Sequence, residues 1–458
     1  MYKESRANWI EKSRAKRVEE SRAGRTTKNR TGWFAKGKAA WLAAALLLMV
    51  AVVAGCSGGE GNNAQSTASD WSEGSAKREE TSESSRSEAT FDRAVEPYPG
   101  GGQQQQDQAA GQLTAGEWAD TERWGEFLVR LNERDGAHGM QTWGITPLRR
   151  LAAVVTAAGE PVADAALVLR AGDEGETVWE GRTDNQGRAY VFAGIFEQQR
   201  GSNADAYTIE VRIGQDTVKR YANVALPAQE PLQIELDEAA VYPDRADIML
   251  VVDTTGSMSD ELDYLGAELT DVVQRAQERT GQELELRLSA NFYRDEGDEY
   301  VVRSYPFTSK VSETVKQIRE QRAEGGGDYP EAVDEALKDA LHAHEWSEEA
   351  RARLLFLVLD APPHDDERTK QRIRELTSDA AALGVRIIPV ASSGVDRETE
   401  YLMRFFAAAT GGSYVFLTDH SGIGNSHLQP QVDQYEVRPL NDLLVELIVR
   451  YTERPQQG

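Results

Sequence analysis

A short run of carboxylate and hydroxyl side chains, Asp253-Thr254-Thr255-Gly256-Ser257, directly follows the apolar segment Ile248–Val252. The apolar segment predicts a buried parallel strand, and open α/β sheets bind ligands at the carboxyl ends of such strands. Alternation along the backbone could direct Asp253, Thr255 and Ser257 towards one point. Oxygen ligands gathered in this way suit Mg²⁺ or a similar hard cation.

Two further acidic residues occupy comparable positions. Asp360 ends the apolar run Leu354–Leu359, and Asp328 follows three consecutive glycines at 325–327, which let the backbone approach a neighbour closely. The alternative is that these carboxylates cap helices or pair with arginine. Three separate motifs, each after a strand or a glycine turn, favour the cation site. The nearby acidic loop at 295–298 is interpreted as solvated.

Apolar periodicity supplies the elements that position these residues. Between residues 245 and 452, buried-strand patterns alternate with helical stripes, such as the stripe Leu262, Leu265, Leu269 and the stripe Val333, Ala336, Leu337. Repeated strand–helix units predict a parallel sheet covered by helices on both faces. The predicted fold class for this region is therefore a doubly wound α/β domain.

The spaced motif Asp253-x-Thr255-x-Ser257 resembles the metal-ion-dependent adhesion site of von Willebrand factor A-type domains. The resemblance implies a doubly wound sheet and a divalent cation, Mg²⁺ with Mn²⁺ or Ca²⁺ as alternatives. It also implies that Asp360 supplies the ligand of the third loop. The second loop has no Thr, and Asp328 is expected to take its place. The predicted metal ligands are Asp253, Thr255, Ser257, Asp328 and Asp360.

The same resemblance implies a binding function. In such domains a carboxylate from a partner protein completes the coordination of the ion, so a partner offering an acidic side chain is expected, and no enzymatic activity. One alternative is a metal-dependent hydrolase of phosphate esters. Dehalogenase-like phosphatases, however, need an Asp at the position of Thr255, and no Gly-x-Ser-x-Gly turn surrounds Ser257. The other alternative is a purely structural envelope protein.

Residues 146–237 contain short β-rich runs separated by turn signals, which predict a small all-β sandwich. Gly159-x-Pro161, followed by Thr183-Asp184-x-x-Gly187, resembles the carboxypeptidase-regulatory-like, transthyretin-like domain. Before it, residues 113–145 are rich in aromatic side chains. Trp124, Phe127, Leu128 and Leu131 lie at helical spacing and predict a helix that packs on a neighbouring domain.

The N-terminal residues 1–56 predict an export signal. Lys36 and Lys38 precede an uncharged apolar run at 39–55, and Val53-Ala54-Gly55-Cys56 resembles the bacterial lipoprotein motif, in which the cysteine is lipidated. An uncleaved membrane anchor is the alternative. Residues 57–112, rich in Ser, Glu, Gly and Gln, predict a disordered linker. The expected location is the cell envelope outside the cytoplasm, with the outer membrane slightly favoured by Ser57.

Composition excludes several functions. The 458 residues include 51 Lys and Arg against 76 Asp and Glu, a net charge of −25. Such a chain repels a phosphate backbone, so nucleic-acid binding is not expected. The single cysteine, Cys56, excludes an intrachain disulfide and a zinc site made of cysteines.

Overall fold

A computed structural model describes residues 109–196, 203–238, 241–280 and 284–455. The predicted signal at 1–56 with Cys56, and the linker up to residue 108, lie outside these residues. None of the helices that the structure describes is both long and apolar enough to cross a membrane. The described chain contains one large mixed sheet with helices and two smaller sheets.

The large sheet has eight strands in the order β12-β11-β10-β13-β14-β15-β1-β16. Five central strands, β11 to β15 in this order, are parallel, and the strands at both ends are antiparallel. The order in which successive strands are added to the sheet reverses at β10, as the predicted doubly wound fold requires. The strands are β1 Thr114–Trp118, β10 Arg245–Asp253, β11 Glu285–Tyr293, β12 Val302–Arg303, β13 Ala352–Leu359, β14 Val385–Ala391, β15 Tyr414–Leu417 and β16 Arg438–Pro439.

Eight α-helices accompany the sheets in the described residues. They are α1 Trp124–Leu131, α2 Arg134–Trp143, α3 Leu262–Arg279, α4 Val311–Arg319, α5 Val333–His342, α6 Glu367–Leu383, α7 Arg397–Thr410 and α8 Leu440–Thr452. Successive residues of β10 enter different cores. Ile248, Leu250 and Val252 share one with α3 and α8, while Met249 and Val251 share the other with α5, α6 and α7. This alternation explains why β10 reads as a continuous apolar run.

Residues 150–236 form two four-stranded sheets. One consists of β2 Arg150–Ala157, β3 Glu160–Pro161, β6 Arg188–Phe192 and β9 Leu232–Leu236, and the other of β4 Ala166–Ala171, β5 Thr177–Arg182, β7 Tyr207–Ile213 and β8 Asp216–Val224. The predicted strand content of this region is present. A sandwich of the transthyretin-like type stays a prediction. We refer to residues 150–236 as the β region.

The segment before the β region belongs in part to the large sheet. The predicted helix is present as α1, and its Trp124 and Phe127 rings lie 6.1 Å from Phe192 and 6.3 Å from Phe405 respectively. Besides the predicted helix, the segment 113–145 contains strand β1, which pairs with β15. The β region is therefore inserted between β1 and the rest of this sheet.

Hydrogen bonds to two carboxylates fix the position of the segment that contains β1. The Glu268 carboxylate on α3 accepts hydrogen bonds from the backbone N–H groups of Gly111, Gln112 and Leu113, just before β1. Further along, Arg404 of α7 donates two hydrogen bonds to Asp120, at 2.9 and 2.7 Å. Both contacts hold the start of the described chain against helices that lie far along the sequence.

Asp164 joins the β region to the large sheet. It precedes β4, and its two carboxylate oxygens accept hydrogen bonds from Arg353 of β13 at 2.7 and 2.8 Å, with both side chains almost fully buried. Arg182 of β5 donates to the same carboxylate at 2.6 Å. Burial by itself would raise the pKa of Asp164, but the charges of Arg353 and Arg182 outweigh it and hold this pKa well below its usual value.

We expect Asp164→Ala to lower the free energy of unfolding by about 3–5 kcal/mol, because it leaves two guanidinium groups without their buried partner. Urea unfolding of the purified chain measures this loss. Since the pKa of Asp164 is lowered, its contribution is present at neutral pH and is lost as pH falls below the ordinary carboxyl range.

The matched control is Asp237→Ala. It removes an exposed ion pair with Lys219, in which the Asp237 side chain is 83% exposed, and it should cost less than about 1 kcal/mol. Equal losses in the two variants would contradict the proposed role of Asp164.

Candidate metal centre

The first loop of the centre begins where β10 ends. Asp253 lies opposite Tyr293 in the register with β11, and the chain then leaves the sheet through a short 3₁₀ turn at Gly256–Asp260. The Asp253 Oδ1 atom accepts hydrogen bonds from the backbone N–H and the hydroxyl of Thr255, at 2.9 and 2.7 Å. The Thr255 and Ser257 hydroxyl oxygens are 3.1 Å apart. The structure thus brings these three side chains together.

Burial changes along this loop. Asp253 and Thr255 are fully buried, whereas Ser257 is exposed. Asp360, which follows β13 next to β10 in the sheet, is buried as well. The ends of β10 and β13 therefore place two carboxylates inside the protein, and the first loop places one hydroxyl on the solvent side.

The glycine loop after α4 packs against the first loop. The Gly256 N–H donates a hydrogen bond to the Gly325 carbonyl at 3.1 Å, and Gly326 donates to the Asp298 carboxylate at 2.8 Å. Gly326 has φ +72°, and a Cβ added there would lie 3.3 Å from the Thr255 Cβ. Both the positive φ and this close approach require glycine.

The buried carboxylate of the glycine loop is Glu331, not Asp328. Asp328 is exposed, whereas Glu331 is only 2% exposed, and a ligand role of Asp328 stays a prediction. Backbone pairing explains the difference. The Glu331 N–H donates to the Pro362 carbonyl at 2.9 Å, and Glu331 forms a parallel bridge with Pro363, which ties this loop to the one that carries Asp360.

Sequence reasoning had one available signal for Glu331. It lies two residues before Val333, the first apolar residue of the α5 stripe, and side chains next to a core-facing stripe are often buried. The exposed Asp328 lacks this signal.

Three carboxylate oxygens of the centre are buried without a hydrogen-bond partner in the described residues. They are Asp253 Oδ2, Glu331 Oε2 and Asp360 Oδ1. Buried polar atoms of this kind cost free energy unless a partner satisfies them. A bound cation would supply such a partner.

The electrostatics of the centre agree with this geometry. Burial and the neighbouring Asp360 carboxylate raise the pKa of Asp253 to about 7. Burial raises the pKa of Asp360 to about 6. Burial, followed by the charges of Asp253, Asp295 and Asp360, raises the pKa of Glu331 to about 9. The negative charges of these carboxylates repel one another, and a positive charge between them would reduce this repulsion.

Neighbouring charged groups have partners of their own. His364 lies 2.7 Å from Asp295, measured from Nε2 to Oδ1. Asp298 accepts from the backbone N–H of Asp295 and of Gly326. The acidic loop at 295–298 therefore supports the glycine loop and pairs with histidine, instead of being fully solvated.

The donor set fits a hard divalent cation. No three His, Cys, Asp or Glu side chains in the described residues form a preformed metal cluster by themselves. The oxygen donors present at this edge of the sheet are carboxylates and the Thr255 and Ser257 hydroxyls. Oxygen-only ligands of this kind are those of Mg²⁺, Mn²⁺ and Ca²⁺.

Residues 247–422 match the family model of the von Willebrand factor A domain. This segment is similar to a von Willebrand factor A domain, and we refer to it as the A domain. The matched part of this A domain begins within β10 and includes Asp253, Glu331 and Asp360. The match leaves out β1, the β region and α8. Strand β1 nevertheless belongs to the same sheet, and α8 packs on that sheet.

Individual proteins resemble parts of the chain. An ariadne-like RING finger protein of Acanthamoeba polyphaga mimivirus is 30% identical over 133 residues, which are 29% of this chain and 13% of that protein. The chain thus matches only a small part of that relative. The crystal structure of BatB from Bacteroides thetaiotaomicron is 13% identical, with a TM-score of 0.32, over 45% of this chain and 98% of BatB.

The raised carboxyl pKa values predict how the A domain responds to pH without metal. Since Asp253, Glu331 and Asp360 titrate above their ordinary range near 4, they contribute stability at low pH that is lost as pH rises towards 9. In EDTA, the melting temperature should fall between pH 5 and pH 8. Saturating Mg²⁺ should raise it by roughly 5 °C at pH 8.

Asp253→Asn is the matched variant for these melting curves. It removes one of the titrating carboxylates, so it should reduce the pH-dependent fall in EDTA and the gain in Mg²⁺. Curves at pH 8 that coincide with and without Mg²⁺ would contradict the cation site.

Proposed function

We propose that this protein is a cation-dependent protein-binding module of the cell envelope and not an enzyme. The A domain binds a divalent cation, Mg²⁺ in the first place, through Asp253, Thr255, Ser257, Glu331 and Asp360. The bound ion and the loops around it form the surface that engages a partner protein.

The three orphaned carboxylate oxygens carry this proposal. They lie in loops that gather at the carboxyl edge of the sheet, where doubly wound domains bind ligands. No ion pair with Lys, Arg or His satisfies Asp253, Glu331 or Asp360 within the part of the chain that the structure describes. In this proposal, an external cation is the missing partner of these three oxygens.

The solvent side of the centre supports partner binding. Ser257 is exposed, and Tyr329, on the glycine loop, is 45% exposed with its hydroxyl donating to the Gly394 carbonyl at 2.9 Å. An aromatic side chain fixed in this way suits an interface. An acidic side chain of the partner is proposed to reach the ion beside Ser257.

The proposed location follows from residues outside the described part of the chain. A lipid on Cys56 would hold the protein in a membrane, and residues 57–112 would hold the A domain clear of it. The acidic body then lies outside the cytoplasm. The apolar run at 39–55, acting as an uncleaved anchor, would give the same placement.

Affinity capture from envelope extract tests the function. The full chain, solubilised in detergent, should retain a specific set of proteins in Mg²⁺ and release it in EDTA, because chelation removes the central ion. Asp253→Ala should abolish retention in Mg²⁺, since it removes one buried carboxylate ligand.

Two matched variants complete the design. Asp328→Asn removes an exposed carboxylate of the same glycine loop and should retain the same proteins as the unaltered chain. In growing cells, the unaltered chain should incorporate a labelled fatty acid and Cys56→Ser should not, if a lipid is attached to Cys56. Retention that is unchanged by EDTA would refute the binding proposal, and the absence of label from the unaltered chain would refute the lipid anchor.

A further inference from the structure

An extended segment of chain follows β15 at the carboxyl edge of the large sheet. Because β15 runs parallel to β14, it ends at the same edge as β10 and β13. The chain then forms a short 3₁₀ turn at Asp419–Ser421 and continues to β16 without a further helix or strand. Connections longer than about 12–15 residues are uncommon in compact domains and are often functional. We refer to residues 419–431 as the strap.

The distal end of the strap is fastened through Gln431. Its N–H donates to Glu400 at 2.9 Å, and its side-chain oxygen accepts from the Tyr401 hydroxyl at 2.8 Å. Its carbonyl accepts from Arg404 at 3.2 Å, and its side-chain amide donates to Asp135 at 2.6 Å. None of these partners is a histidine. The distal end therefore stays attached when a histidine of the strap loses its proton.

The proximal end of the strap is fastened through His427, whose side chain is only 4% exposed. Its Nδ1 atom lies 2.8 Å from Asp419 Oδ1, and its Nε2 atom lies 2.9 Å from Oε1 of the buried Glu261, just before α3. Asn425 adds to this attachment, because its N–H and its side-chain amide donate to Asp260 at 2.7 and 2.6 Å. Each ring nitrogen of His427 thus faces a carboxylate.

Only the doubly protonated ring satisfies both carboxylates. An imidazolium carries a proton on each nitrogen, whereas a neutral imidazole carries one and leaves a lone pair facing a carboxylate. Burial by itself would lower the pKa of His427, but Glu261 and Asp419 outweigh it and raise this pKa. The stabilising contribution is therefore present at mildly acidic pH and is lost as pH rises through the raised pKa.

The other charged groups near the strap do not face the imidazole. Asp260 is bonded to Asn425, and the exposed His420 interacts with Asp419 instead. No lysine or arginine of the described chain forms an ion pair with His427. The protonation of this ring is thus coupled to two carboxylates, one in the strap and one at the start of α3.

Glu261 connects the strap to the first loop and to the loop after β14. It directly follows the 3₁₀ turn Gly256–Asp260, which contains the exposed Ser257. Its carboxylate also accepts a hydrogen bond from the Ser393 N–H at 3.2 Å. Gly424 of the strap has φ +82°, and a Cβ there would collide with the Glu261 carboxylate. The strap backbone therefore lies directly on Glu261.

We propose that His427 is a pH-sensitive latch of the strap. As an imidazolium it holds residues 422–428 on Glu261, and as a neutral imidazole it releases them while Gln431 keeps the distal end attached. Release opens the carboxyl edge of the sheet next to the first loop, so a molecule that binds there meets a more open surface above neutral pH than at pH 6. The latch needs no bound ion and does not rest on the proposed function.

Electron paramagnetic resonance of the full chain tests the latch. A nitroxide is attached at Ser426→Cys, next to His427, in a Cys56→Ser chain that has no other cysteine. In EDTA the spectrum should be broad at pH 6, where the strap is held, and narrow at pH 9, where it is released. The midpoint should lie above the ordinary histidine pKa of about 6.5.

Two controls separate the latch from other effects of pH. A nitroxide at Gln429→Cys, near the fastened distal end, should give the same spectrum at pH 6 and pH 9, whereas global unfolding would mobilise both labels. His420→Gln removes an exposed histidine of the same strap. It should leave the response of the label at Ser426→Cys unchanged.

Variants of the latch itself decide the outcome. His427→Gln should give the narrow spectrum already at pH 6, since a neutral amide cannot replace both ring nitrogens. Asp419→Asn keeps the histidine and should lower the midpoint by roughly one pH unit, because one facing negative charge is lost. This midpoint carries the test if circular dichroism shows that His427→Gln does not fold.

Three results would overturn the latch. They are identical spectra at pH 6 and pH 9 for the label at Ser426→Cys, an unchanged pH response in a folded His427→Gln chain, and an unchanged midpoint in Asp419→Asn. Because every spectrum is recorded in EDTA, these results leave the proposed cation site untouched.

Discussion

The structure depends on a concentration of buried negative charge that the described chain does not neutralise itself. Several other buried carboxylates of the described residues have charged or hydrogen-bonding partners. Asp164 has Arg353, Asp120 has Arg404, and Glu268 has three backbone N–H groups. At the carboxyl edge of the large sheet, Asp253, Glu331 and Asp360 each keep an unsatisfied oxygen. A divalent cation, as proposed above, would supply positive charge and ligand positions together.

The rest of the fold keeps these loops in register. Parallel pairing of β10 with β11 and β13 fixes the points where Asp253 and Asp360 leave the sheet. The Glu331–Pro363 bridge connects the second and third loops. The inserted β region packs against α6 and α7 and is fastened to β13 through Asp164 and Arg353. Rigid strands carrying short loops are a suitable support for a centre that needs fixed distances.

Much of this could be predicted from the sequence, and the misses have physical causes. The positions of Asp253, Thr255, Ser257 and Asp360 after β10 and β13 could be predicted because alternation and strand ends are local properties of the chain, and their role as metal ligands stays a prediction. The burial of Glu331 and the exposure of Asp328 depend on the positive φ of Gly325 and Gly326 and on the pairing of Glu331 with Pro363. Neither feature can be predicted from the neighbouring residues in the sequence. Strand β1 was missed because Gly116 weakens its pattern and its partner β15 lies about 300 residues away. A Cβ on Gly116 would meet the Phe416 ring at 2.6 Å, so the glycine is required by packing.

The most direct measurement is anomalous diffraction from crystals of the chain grown with Mn²⁺. The account predicts a single strong anomalous peak among Asp253, Ser257, Glu331 and Asp360, with oxygen ligands in the first shell and no peak in crystals of Asp253→Ala. Well-ordered loops at this edge of the sheet, with no anomalous density between the carboxylates at saturating Mn²⁺, would contradict it.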